Sequence, residues 1–117
     1  MILFKEKHVA PILNGEKTQT RRLWPHGCRV KLNSIHIAKT AMMDPMSAFA
    51  RIQISDVFQE SLLDITIDDA TAEGYPTIQS YLDTFATINR LGQIPTREIR
   101  KIRVWVVKFE VVECMRF

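Results

Sequence analysis

Lys17, Thr20 and Arg22 stand close together in Gly15-Glu16-Lys17-Thr18-Gln19-Thr20-Arg21-Arg22. A threonine hydroxyl is a weak nucleophile until a base takes its proton. Lysine serves as that base only when uncharged, which requires a pKa lowered by burial or by neighbouring cations such as Arg21 and Arg22. Arg22 adds a planar, permanently charged fork suited to a phosphate or a carboxylate. A carboxyl group would complete the set by orienting the lysine or protonating a leaving amine. Glu73, in Ala72-Glu73-Gly74-Tyr75, is the candidate, beside a glycine that lets the backbone approach a neighbour closely. The plain alternative is an exposed Lys17, a turn-forming Thr20 and an ordinary surface Glu73.

These groups need a scaffold. Ile2 to Phe4 reads as a short strand, and Val9, Ile12 and Leu13 fall at helical spacing, with Pro11 tolerable in a first turn. Asn14-Gly15 is a helix stop, because both residues accept the left-handed conformation. Lys17 to Arg22 is therefore expected in a loop with exposed polar tips, where functional groups collect. Trp24-Pro25-His26-Gly27 is turn-rich, and strands are expected over Arg29–Leu32 and Ile35–Met42, the latter broken by Asp44-Pro45.

The clearest strand runs from Ala48 to Phe58, where Ala50, Ile52 and Ile54 alternate with polar residues. Its phase breaks at Asp56, which predicts a bulge or the strand's end. Thr66 and Asp69 are spaced as a capping box for a short helix that Gly74 stops. A second helix should start at Pro76-Thr77, with Ile78, Tyr81, Leu82, Phe85 and Ile88 as its apolar stripe. Residues 92–95 read as loop. Ile102 to Val112 carries Val104 and Val106 on one side and Trp105, Val107, Phe109 and Val111 on the other. A strand apolar on both faces is a central one. Strands at both ends around a helical insert predict one α+β domain over 1–117, a small mixed β-barrel with two to three flanking helices.

An apolar share of 46% and a charged share of 25% are ordinary for a globular domain. No apolar run approaches the roughly 20 residues of a membrane span. Lys5, Glu6, Lys7 and His8 interrupt the apolar start, so no secretory segment is expected. Cys28 and Cys114 are too few for a disulfide framework, and a reducing, cytoplasmic setting is expected. His8, His26, His36 and Cys28 lack zinc-ligand spacing, so neither metal nor other cofactor is expected.

Charge is segregated within a net +3. Met1–Met43 holds eight Lys or Arg against Glu6 and Glu16, whereas Ile52–Asn89 holds seven acids and no Lys or Arg. A basic face built from the two chain ends would suit a polyanion such as RNA, and a mixed solvated surface explains the pattern equally well. Arg97, Arg100 and Lys101 could track phosphate or merely guard a sheet edge. Trp24, beside the basic segment, could stack a base or serve as packing.

Gly15-x-Lys17-x-x-Thr20-x-Arg22 resembles the Gly-x-Lys-x-x-Glu-x-Arg motif of ASCH domains, in the PUA-like superfamily of small β-barrels. Asp69-Ala70-x-x-Glu73-Gly74-Tyr75 and the closing strand around Trp105-Val106-Val107-Lys108-Phe109 fit the same layout. Threonine in place of the motif glutamate is similar to the small bacterial ASCH amidohydrolases that release acetate from N4-acetylcytidine. That resemblance implies Lys17, Thr20 and Glu73 as catalytic residues, with Thr20 the nucleophile, Glu73 the acid and Arg22 the motif arginine. Arg21, Arg22, Trp24, Tyr75, Arg97, Arg100 and Lys101 are the candidates for contacting substrate or RNA. The competing expectation is a non-catalytic RNA-binding module using the same basic cleft. Either way the partner is a nucleoside or RNA, with no membrane and no obligatory protein partner implied. Asn33–Ala48 and Arg90–Ile99 are longer than the minimal enzymes need, and would reshape the pocket.

Overall fold

The computed structural model describes residues 1–92 and 96–115. Five strands form one curled, mixed sheet, a half barrel, in the order β1-β3-β4-β5-β2. They are β1 (Ile2–Leu3), β2 (Gln19–Arg22), β3 (Ile35–Lys39), β4 (Ala48–Ser61) and β5 (Arg103–Cys114). Among the described residues four α-helices accompany them: α1 (Val9–Leu13), α2 (Ile67–Glu73), α3 (Ile78–Ile88) and the single-turn α4 (Thr96–Ile99). β1 runs parallel to β3, and the other pairings are antiparallel. Among the described residues no helix is long and apolar enough to cross a membrane.

Two hydrophobic cores flank the sheet, and β5 supplies both. Its Val107 and Phe109 join Phe4, Ile12, Phe49, Ile52 and Ile54 inside the curl. Val104 and Val106 face the other way, against Leu62, Ala70, Tyr81 and Phe85 of the helical insert. The doubly apolar run of β5 therefore does mark a central strand, with neighbours on both sides.

The phase break in β4 is a bulge. Ile54 opposes Phe109, the next pair is Asp56 with Lys108, and Ser55 is passed over. An extra residue reverses side-chain parity. Ala50, Ile52 and Ile54 thus share one core with Val57, while Phe58 packs on the other. The insertion decides which residues face which core beyond it: Val57 turns to the first and Phe58 to the second.

Sequence chemistry sets the helix ends. Thr66 Oγ1 accepts from Asp69 N at 3.1 Å and Asp69 Oδ2 accepts from Thr66 N at 3.1 Å, closing the capping box of α2. Gly74 ends that helix at φ 97°, a conformation costly to residues with a Cβ. Thr77 and Ser80 cap α3 in the same reciprocal way.

Three expectations need correction. Gln19–Arg22 is not a loop but an edge strand paired with Lys108–Trp105, and its apolar partner strand helps to bury Lys17, Gln19, Thr20 and Arg21, while Thr18 stays exposed. Arg29–Leu32 forms no strand, because Asn33 takes φ 68° and the chain turns there instead. The strand from Ile35 ends at Lys39, short of Met42. The segment expected as loop over 92–95 lies, beyond Gly92, outside the described residues.

Candidate functional site

α1 is stopped by Asn14 and Gly15, and the chain then doubles back on it. The Pro11 carbonyl accepts from both Glu16 N at 2.9 Å and Lys17 N at 3.0 Å. Thr18 ties the next residues to two elements: its N–H donates to Ala72 O of α2 at 2.9 Å, and its carbonyl accepts from Phe109 N of β5 at 3.0 Å. Lys17 is thereby aimed at the C-terminal end of α2, where Glu73 sits. The surface alternative for these residues is excluded by their burial: Lys17 is 3% exposed, Thr20 5% and Glu73 2%.

The Lys17 ammonium has three acceptors, namely Glu73 O at 2.5 Å, Glu73 Oε2 at 3.0 Å and Gln19 O at 3.1 Å. Burial lowers its pKa, Glu73 opposes that by charge and hydrogen bond, and Arg22 and Arg21 reinforce it; the net direction is down. The other Glu73 oxygen, Oε1, accepts from Arg21 Nη1 at 3.3 Å. Arg21 also reaches Glu60 Oε1 at 2.6 Å, Asp69 Oδ2 at 3.4 Å and Gln19 Oε1 at 2.6 Å. Burial works against its charge, but the Glu60 hydrogen bond and Glu73 outweigh that and raise its pKa. Arg21 thus serves as counter-ion to three carboxylates through its terminal nitrogens, while its buried Nε has no partner among the described residues.

Strand alternation turns Thr20 and Arg22 to the opposite side from Gln19 and Arg21. Arg22 Nε donates to Thr20 Oγ1 at 3.0 Å, while Nη2 donates to the Leu3 carbonyl at 2.6 Å. Its guanidinium also lies 5.2 Å from the Phe4 ring centre. β1 and β2 are the two edges of the sheet, so Arg22 spans the open seam of the half barrel. With one lone pair of Thr20 taken by Arg22, its hydroxyl still has a proton to give.

Lys17, Thr20, Arg21, Arg22 and Glu73 all line one open cleft of about 490 Å³. Its aromatic flank comes from Phe4, Trp24, Tyr75, Tyr81 and Phe85. Thr40, from the longer segment after Asn33, also reaches its rim. Arg97, Arg100 and Lys101 are not among its lining residues; Lys101 Nζ pairs instead with Glu98 Oε1 at 3.5 Å.

Several lining residues carry no motif signal. His8 closes the cleft wall beside Gly74, where an added Cβ would meet its Nδ1 at 3.3 Å. Its ring packs edge-on against Tyr75 with centres 5.8 Å apart. Burial first, then Lys17 and the nearby cations Lys7, Arg22 and Lys5, push its pKa down to about 4. Gln19 and Glu60 contribute through Arg21, and Tyr81 contributes from the apolar stripe of α3. In sequence, Tyr81 is indistinguishable from a core residue. Glu60 lies on β4, far from the motif, and only the pairing of β4 with β5 and β5 with β2 brings it near.

No protein-family model matches this chain, and no curated protein matches it. Solved structures do. A protein of Enterococcus faecalis V583 described under family model DUF984 has a TM-score of 0.73 at 18% identity, over 92% of this chain and 68% of its own. An ASCH domain of Lactobacillus crispatus JV V101 has a TM-score of 0.65 at 17% identity, over 90% and 70%. An ASCH protein of Zymomonas mobilis, solved as an S128A mutant, has a TM-score of 0.53 at 9% identity, over 98% and 71%. At such identities the likeness is one of fold: this chain has the α+β, PUA-like fold of ASCH domains.

Proposed function

We propose that the cleft of this ASCH-fold chain is an amidohydrolase site for an acylated nucleoside such as N4-acetylcytidine. The observation that carries the reading is a buried lysine amine with a lowered pKa, in the same cleft as a threonine hydroxyl and a carboxylate. In the first step Thr20 Oγ bonds to the acyl carbon and its proton passes to Lys17. The carbon–nitrogen bond then breaks, and the departing amine takes a proton from the Lys17–Glu73 pair. Water hydrolyses the resulting threonine ester, releasing acetate and restoring the hydroxyl. Arg22 holds Thr20 in place through a 3.0 Å hydrogen bond and favours its alkoxide by charge.

A non-catalytic RNA-binding role draws less support from the geometry. Arg21 is occupied by carboxylates, and Arg97, Arg100 and Lys101 stand off the cleft. The deciding experiment is chromatographic measurement of cytidine and acetate release from N4-acetylcytidine by the purified protein. Stoichiometric release, absent in Thr20→Ala, is expected. No release by the wild-type protein would remove the enzyme reading and leave the binding one.

A further inference from the structure

Tyr81 is 4% exposed, yet among the described residues no group pairs with its hydroxyl. A buried hydroxyl without a partner is costly, and native structures rarely tolerate one without a use for it. Packing alone does not call for the oxygen. The ring is held edge-on by Tyr75 with centres 5.5 Å apart and against Phe85 at 5.9 Å, contacts that phenylalanine would make equally well. The same side chain lines the cleft that holds Lys17, Thr20 and Glu73.

We propose that Tyr81 is a substrate-positioning residue, whose hydroxyl donates to a carbonyl oxygen of a planar, heteroaromatic ligand bound against the aromatic flank of the cleft. The polarity follows from its surroundings. Burial, then the charge of Glu73, raise the pKa of the phenol, so it stays protonated and acts as a donor. A ligand oxygen with no proton of its own is the complement. Tyr75, Trp24 and Phe85 line the same cleft and give it apolar surface for a flat ring, whose rotation about its normal the Tyr81 hydrogen bond would fix. Both a pyrimidine ring carbonyl and an N-acyl carbonyl meet this description. The inference deepens the amidohydrolase reading by naming a ligand contact, but its test does not depend on turnover.

The test is Tyr81→Phe, read by calorimetric binding of cytidine, by calorimetric binding of N4-acetylcytidine in a Thr20→Ala background that the proposed reaction cannot turn over, and by thermal unfolding. The variant keeps the ring packing and removes only the unpaired oxygen, so its melting temperature should be unchanged or slightly higher. Affinity should fall roughly 2- to 13-fold, the usual worth of one neutral hydrogen bond. Loss with both nucleosides assigns the ring carbonyl, and loss with the acetylated one alone assigns the acyl carbonyl. Equal affinities in wild type and variant would overturn the proposal, as would failure of the wild type to bind either nucleoside. Binding that weakens in the variant without any wild-type turnover would retain Tyr81 as a ligand contact and discard the amidohydrolase.

Discussion

Glu73 grips the Lys17 ammonium twice, through its own main-chain carbonyl at 2.5 Å and its carboxylate at 3.0 Å. The double contact is available because Glu73 is the last residue of α2, where carbonyls have no further helical partner. Gly74, in the left-handed conformation, turns the chain away and leaves that carbonyl facing the amine. The helix end thus holds the lysine in place, while the second carboxylate oxygen holds Arg21.

Thr20→Ala removes the nucleophile and leaves the buried ion cluster intact. Turnover of N4-acetylcytidine should fall roughly 10³-fold or more, with circular dichroism and melting temperature near wild type. Residual activity within about tenfold of wild type would exclude threonine attack.

Activity should rise with pH along a limb set by Lys17, whose amine must be neutral to accept a proton. Burial, with help from Arg22 and Arg21, places that limb below the ordinary lysine value of 10.5. Steady-state rates from mildly acidic to alkaline pH test this, and the limb should vanish in Lys17→Met. A limb that persists in the variant belongs to another group.

Glu73→Gln leaves Lys17 and Arg21 buried with one carboxylate fewer. Breaking a buried pair in this way costs roughly 3–5 kcal/mol, a large share of an ordinary domain's stability. Urea denaturation should show the loss. In whatever protein remains folded, Lys17 loses the charge that opposes its desolvation, so its pH limb should move to lower pH.

His8 makes stability depend on pH in a defined window. Its folded-state pKa is about 4 against 6.5 unfolded, so on acidification the unfolded chain takes up a proton before the folded one does. Its contribution is complete above pH 6.5 and is lost as pH falls toward 4; the full gap corresponds to about 3.4 kcal/mol, which solvent screening at the cleft wall reduces to about 2–3 kcal/mol. Urea midpoints measured across that window should fall, and His8→Gln should flatten the decline. An unchanged slope in the variant would mean that the imidazole is not held neutral.

Arg97, Arg100 and Lys101 replaced together by glutamine should leave nucleoside hydrolysis unchanged, since none lines the cleft. If RNA binds there, its affinity should lose up to about 2–3 units of salt slope in the same variant. A loss of hydrolysis instead would place these residues in the site.

The sequence by itself determined the local devices of this protein. The Thr66–Asp69 capping box, the Gly74 stop, the phase break at Asp56 and the central position of β5 each follow from a few adjacent residues, because caps, turns and side-chain alternation are short-range; that the break is a bulge and not the strand's end was decided by the pairing with β5. The resemblance of the Lys17–Arg22 segment to the ASCH motif also indicated the fold. Tertiary structure alone decided that Gln19–Arg22 of this segment is a strand and that Lys17, Gln19, Thr20 and Arg21 are buried. Its residues are polar, so nothing local draws them inside; pairing with apolar β5 and burial against α2 do. Only the fold could separate Arg21, bound to Glu60, Asp69 and Glu73, from Arg22, which spans the seam to Leu3, since adjacent residues on a strand face opposite sides. The unpaired hydroxyl of Tyr81 is likewise invisible in sequence, where tyrosine in an apolar stripe reads as packing. Whether its oxygen finds a partner depends on what the fold places around it.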